Sequence, residues 1–334
     1  MTTVGELSRL AERLLVAAGL PRHRAARTAE ILVLAETWGI ATHGLMRLPH
    51  YLERLRAGGC RPDAELERVS DAGAVISYDG GAGLGHWQLW EAAEVARDRC
   101  ADTGIAAVAV QNSSHCGALG SYVYPALDAG MVSLVFSNGP PAMPPWGGRE
   151  AVLSTSPIAA GFPSSPAPVV IDLATSAVAR GKIAWHAQQD EPLPEGWAFD
   201  ADGVPTVDPQ AALQGMLAPL GGSKGYVLAL LVEGLTGGLV GPSLAADVAD
   251  MFNRADDSKP QGIGHLVVTL RPDAFGPGAA DRFEQLVARV GNAGGRPPGL
   301  SRRSPSTMDE RQPLQVADST LERLRSWEQR LGVS

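Results

Sequence analysis

The stretch AVISYDGGAGLG, residues 74–85, runs from a short β-rich segment into a glycine-rich turn, and a helical segment follows near 86–101. In that setting a dinucleotide-binding loop reads G-x-G-x-x-G and opens a βαβ unit onto a pyrophosphate. GGAGLG (80–85) lacks that spacing. GGSKGY (221–226) sets a lysine among glycines but does not match the G-x-x-x-x-G-K-[ST] phosphate loop. Pattern alone therefore points to no nucleotide fold, and the flanking segments decide the architecture.

Downstream, β-rich runs recur: IAAVAV (105–110), VSLVF (132–136), PVVIDL (168–173) and HLVVTL (265–270). Glycine- and proline-rich turns bound them. Helical segments lie between, near 118–129, 222–240 and 280–291, which makes a mixed α/β body. Residues 185–209 read as loop, and 294–313 as a proline- and arginine-rich connector. Upstream, residues 3–58 read as helices. Leu7, Leu10, Leu14, Leu15 and Ala18 keep helical spacing, and Gly19 stops the run. Pro21 suits the first turn of a second helix. Its Ile31–Ala35 run is apolar on every face, so that helix should be buried. An amphipathic segment, 318–331, is expected to pack back on the N-terminal helices. No internal repeat is present. The expected fold class is α/β of the α+β type. A helical domain, 1–70 completed by 314–334, joins an α/β domain, 71–313.

The chain has 334 residues, enough for a sizeable core. Its formal charge is −8, with no basic block. That argues against nucleic acid and anionic membrane as partners, and leaves a small anionic substrate open. Cys60, Cys100 and Cys116 are scattered and odd in number, so neither a disulfide framework nor a C-x-x-C knuckle is expected. No H-E-x-x-H or carboxylate–histidine cluster points to a metal. The N-terminus lacks signal-peptide grammar and no apolar run reaches membrane-span length, so the expected location is cytoplasmic.

Four pieces carry chemistry. In ATHGLMRLPHY (41–51), His43, Arg47 and Tyr51 recur at steps of four, which stacks them on one face of a helix. Gly44 should free the backbone just before a helix running through Leu55, with Pro49 in its early turns. His43 would then sit near the positive end of the dipole, where imidazolium is disfavoured and anions are attracted. Arg47 offers a planar fork for a carboxylate. A surface helix with snorkelling Arg and Tyr accounts for the same pattern. In VQNSSHCGALGSY (110–122), His115 follows a strand and is placed for proton transfer, though a polar turn capping the next helix fits equally. SNGPPAMPPWGG (137–148), STSP (154–157) and IDLATSAVARGK (171–182) put small residues at strand ends, where backbone amides can approach a ligand or merely turn. Lys224, opening an apolar helix, could meet a phosphate or ribose, or be a solvated charge.

Together and in this order, these segments resemble the malate/L-lactate dehydrogenase family of the second type. That family includes sulfolactate and ureidoglycolate dehydrogenases, diketogulonate reductase and Δ1-piperideine-2-carboxylate reductases. THGLMRLPHYLERLRAGG, QNSSHCGALGSY, STSPIAAGFP, PEGWAFDADGVPT, GGSKGYVLALLVEGLTGGLVG and GHLVVTL also match, and the likeness runs from about residue 5 to 333. The resemblance implies an NAD- or NADP-dependent oxidoreductase acting on a 2-oxo, 2-hydroxy or cyclic 2-imino acid. It implies a non-Rossmann, mixed and largely antiparallel sheet that binds nicotinamide within 71–313, and a homodimer. His43 and Arg47 match its S/T-H-G-x-x-R signature, and His115 the histidine of N-S-S-H; either histidine could move the proton. Arg47 would hold the substrate carboxylate, with Tyr51 shaping the pocket. Gly139, Leu173, Ala174, Thr175, Ser176, Lys182 and Lys224 fall where the family contacts its cofactor.

The sequence departs from the family at several positions. Cys116 stands for a common Phe, Gly139 for Ser, Ser156 for Asn, Val227 for Gly and Leu300 for Glu, and 242–262 is shortened. One reading is a pocket opened for a specialised biosynthetic substrate. The other is a non-catalytic dimeric scaffold. Retention of His43, Arg47, His115 and Lys224 favours the first.

Overall fold

The computed structural model describes residues 2–333. Its strands are β1 (Thr2–Thr3), β2 (Glu67–Ala72), β3 (Val75–Asp79), β4 (Ile105–Ser113), β5 (Val132–Ser137), β6 (Ile158–Phe162), β7 (Val169–Leu173), β8 (Ala198–Phe199), β9 (Pro205–Thr206), β10 (Met216–Leu217), β11 (Ile263–Leu270) and β12 (Pro313–Leu314). Seven of them form one sheet in the order β2-β3-β4-β11-β5-β6-β7. Every neighbouring pair is antiparallel except β3 and β4. The largely antiparallel mixed sheet expected from the resemblance is present. Its one parallel pair is joined by helix α4 (Gly85–Thr103), the crossover that such a pair requires. β11 is central and almost wholly buried, so HLVVTL reads as a continuous run instead of alternating.

All five β-rich runs are strands. Two further strands of this sheet carry no such signal. β2 is exposed along its whole length, a charged edge strand with no buried face to pattern it. β6 lies inside STSPIAAGFP, where small residues resemble turn chemistry. The loop expected over 185–209 is corrected. It holds the end of a helix, Arg180–Gln189, and two strands of a small sheet ordered β10-β8-β9. That helix buries only Ile183, and two-residue strands have no period to read. The helix expected over 118–129 is a 3-10 turn, Leu119–Val123, followed by a single α-helical turn, Tyr124–Leu127. The helix expected over 222–240 ends at Glu233 and continues as a π-helical turn, Gly234–Gly238.

Helix α1 (Val4–Ala17) opens with a capping box: Thr3 Oγ1 accepts from the Glu6 amide, and the Thr3 amide donates to Glu6. Such caps contribute about 1 kcal/mol. Helices α2 (Arg22–Thr37) and α3 (Leu48–Ala57) follow. Leu7, Leu14, Leu32, Leu48 and Leu52 share a core with Leu324 and Trp327 of the C-terminal helix, Asp318–Leu331, which packs back as expected. A second core joins Ile31 of α2 to Leu89 and to Val108, Val135 and Val267 of the sheet. The run Ile31–Ala35 is apolar all round because α2 lies between two cores. Among the described residues no helix is long and apolar enough to cross a membrane.

Candidate active site

The stretch 41–51 is not one helix. After α2 the chain makes two 3-10 turns, Ala41–His43 and Leu45–Arg47, before α3 begins at Leu48 with Pro49 in its first turn. His43 therefore does not share a helical face with Arg47 and Tyr51, and the α3 dipole does not act on it directly. The cause is Glu36, near the end of α2. Its Oε1 accepts the Leu45 amide at 2.8 Å, wrapping the turn around a buried carboxylate. Gly44 is required there, because a Cβ would stand 2.6 Å from Glu36 Oε1. Gly44→Ala should displace both turns and cost about 1–3 kcal/mol as an overpacked contact. A lowered Tm together with a raised KM would register it; an unchanged KM would separate the turn from substrate binding.

The side chains converge by another route. His115 lies in the loop after β4, and its ring stacks near that of His43, with centroids 5.9 Å apart. The Tyr51 hydroxyl is 2.8 Å from His115 Nδ1, and the Gly117 amide approaches the same nitrogen at 3.2 Å. A backbone N–H can only donate, so Nδ1 accepts. The proton of the neutral imidazole then rests on Nε2, and Tyr51 donates as well. Burial holds His43 down to about 4, helped by the Arg47 charge. Burial, then His43, His86 and Arg47, hold His115 well below the usual imidazole range. Both rings are neutral at neutral pH.

Arg47 donates from Nε to the Thr42 carbonyl at 2.7 Å, and its guanidinium lies 4.4 Å from the Phe252 ring centroid. That fixes the plane of the fork without using its terminal nitrogens. A carboxylate can meet them bidentately.

Several supporting residues were not visible in the sequence. Gln261 accepts the His115 amide at 3.1 Å and donates to the Ala249 carbonyl, tying 249–261 to the histidine loop. His265 of β11 reaches Ser137 and Ser113 Oγ across the sheet at 2.9 and 3.1 Å. His86 is fully buried against the Tyr51 ring, 4.7 Å between centroids. A histidine and a threonine in the otherwise apolar HLVVTL were the one available sign of a polar crossing through the sheet.

The residues singled out for a cofactor lie along one line of neighbouring segments. Gly139 faces Ser154; Thr175 donates from its amide and hydroxyl to the Thr155 carbonyl; and the Leu220 amide donates to the Thr175 carbonyl. Leu173 and Ala174 lead into this strand end, and Ser176 bonds the Val178 carbonyl. Gly222 then caps the helix Ser223–Glu233 with no side chain, leaving its first amides and the exposed Lys224 unengaged by a cap. Lys182 sits on the helix Arg180–Gln189 over Trp197, and Gly181 of that helix is pressed against Thr42 beside His43. An uncapped helix start with a free lysine is the chemistry a phosphate needs.

The sequence profile of the Malate/L-lactate dehydrogenase family matches residues 2–325. The chain belongs to this family. It is 38% identical to a (2R)-3-sulfolactate dehydrogenase (NADP(+)) of Chromohalobacter salexigens, over 98% of both chains. The solved sulfolactate dehydrogenase of Methanocaldococcus jannaschii superposes with a TM-score of 0.88 at 29% identity, covering 100% of this chain and 98% of the other. The Δ1-piperideine-2-carboxylate reductase of Pseudomonas syringae pv. tomato superposes at 0.89 with 32% identity, covering 98% and 99%.

The positions read from the sequence as departures from the family's pattern have the following surroundings. Cys116 is buried in the sheet core, its thiol pushed up to about 12 by burial, and its carbonyl accepts the Tyr122 hydroxyl. Gly139 has open space, with only Ser154 within 4 Å of a built Cβ. Ser156 takes a left-handed φ of 41°, a conformation asparagine tolerates better than serine. Its amide is held by Ser154 Oγ at 2.9 Å.

Proposed function

We propose that this protein is an NAD(P)H-dependent oxidoreductase that moves hydride to or from C2 of a small 2-oxo or 2-hydroxy acid. The observation that carries this reading is the pairing of a neutral, Nε2-protonated His115 with the open fork of Arg47. Arg47 would clamp the substrate carboxylate and fix its orientation. His115 Nε2–H would donate a hydrogen bond to the C2 oxygen and stabilise the charge that develops there, with the completing proton drawn from solvent and Tyr51 fixing the tautomer by donating to Nδ1. His43, neutral and stacked beside it, is the competing donor. Nicotinamide supplies the hydride when bound. Gly139, 173–176, Lys182 and Lys224 would hold the cofactor, on a non-Rossmann sheet domain spanning 71–313. The helical domain would be 1–70 with 314–334, which the shared core of the N- and C-terminal helices supports.

A second reading, reduction of a cyclic ketimine acid, is favoured by the likeness to the piperideine-carboxylate reductase. A cyclic imine can arrive already protonated, so it asks less of His115. One panel separates these readings from a non-catalytic scaffold: NADPH and NADH oxidation against pyruvate, oxaloacetate, Δ1-pyrroline-2-carboxylate and Δ1-piperideine-2-carboxylate. Turnover of the oxo acids is expected. Turnover of the imines alone would shift the reaction class. Neither turnover nor a change in NADPH fluorescence would leave the scaffold.

The reading includes a homodimer. The helix carrying Lys224 exposes Val227, Leu228, Leu230 and Leu231 together, a patch that lone chains rarely leave wet. Leu231→Arg should shift the sedimenting species from dimer to monomer; a wild-type monomer would remove this part.

A further inference from the structure

A cavity of about 350 Å³ opens between α3, the segment 251–257 and the C-terminal helix. That volume is in the range of small-molecule sites. Pro49, Phe252 and the buried Trp327 give it an apolar, partly aromatic wall. Arg254, Arg323 and Arg330 reach into it from two separate elements, a 3-10 turn and the C-terminal helix. Glu53 stands 4.0 Å from Arg330. Among the described residues, Arg254 and Arg323 have no carboxylate within ion-pair distance, and Asp257 is the one other acid on the lining. His50 also lines the cavity, and burial, then Arg47, Arg323 and Arg254, keep it neutral. Three guanidiniums around one imidazole, with so little opposing charge, make a field that an anion would relax.

His43 and His115 do not line this cavity. Phe252 is the shared wall: its ring carries the Arg47 guanidinium and meets His50 edge-on at 5.8 Å.

We propose that this cavity binds a small organic anion with a flat apolar body, the body against Phe252 and Trp327 and the anionic group on Arg254 and Arg323. An inorganic anion lacks the body, and a neutral arene lacks the charge, so both should bind weakly. An occupant resting on Phe252 would also alter how Arg47 is held. The site stands apart from the oxidoreductase reading, because its binding is measured without turnover.

Isothermal titration of the full chain with benzenesulfonate, sulfate and benzyl alcohol tests it. Benzenesulfonate should bind one per chain, and sulfate and benzyl alcohol at least about tenfold more weakly. The double variant Arg254→Ala/Arg323→Ala should weaken benzenesulfonate by about tenfold or more. Both arginines are exposed, so the variant should keep the wild-type thermal transition. No benzenesulfonate binding, or equal binding by the double variant, would overturn the proposal. So would binding lost in Arg47→Ala and kept in the double variant, which would put the anion at the candidate active site.

Discussion

His115→Ala should lower kcat for a 2-oxo acid by about 10²–10⁴-fold, the span of general acid–base contributions, while leaving NADPH affinity nearly unchanged. The basis is geometric. Tyr51 and the Gly117 amide both point protons at Nδ1, so Nε2 is the one ring nitrogen free to serve substrate. His43→Ala should then cost less, and a larger loss there would exchange the two roles. The pH dependence follows the same argument. The folded pKa of His115 is depressed, so protonation requires pH well below the ordinary imidazole range. Protonation at Nδ1 would also turn the Tyr51 contact round and break the one from the Gly117 amide. The neutral, Nε2-protonated form therefore persists through pH 6.5, and the rate of 2-oxo acid reduction should stay flat there and change only at lower pH. Stability has the same sign: the neutral His43 contributes fully above its unfolded pKa, and that contribution is lost as pH falls towards about 4. A profile that falls with an ordinary histidine pKa would contradict this account.

Arg47→Lys should raise KM for an oxo acid by about 10–100-fold, the equivalent of one lost charge-assisted hydrogen bond, with a smaller effect on kcat. An ammonium cannot offer two parallel donors, nor lie flat on Phe252 while bonding the Thr42 carbonyl. Steady-state kinetics on pyruvate and oxaloacetate would measure it. An unchanged KM would take Arg47 out of carboxylate binding.

The readability of the sequence follows from where periodic burial is strong. HLVVTL, VSLVF and the Ile31–Ala35 run are buried by the layers they join, so their composition alone places them. β2 buries no residue, and 180–217 sends Ile183, Leu193, Ala198, Ala212 and Leu217 into a small core at spacings that make no period. The site shows the same divide. His43, Arg47, Tyr51 and His115 were visible as motifs, but the helix expected to align His43 with Arg47 and Tyr51 begins only at Leu48. Glu36 bends that stretch, and a buried carboxylate nine residues away is invisible to a rule about local spacing. Gln261 and His265 act from distant segments, so only the folded sheet brings them to the histidine loop.

Glu36 sits near the end of α2, and α2 is squeezed between two cores. The turns carrying His43 and Arg47 are thus not an independently fraying loop but an appendage of a helix enclosed on two sides. Their local opening has to work against the packing of both layers at once, so the candidate site belongs to the same cooperative unit as the core and should be among the last parts to yield on heating.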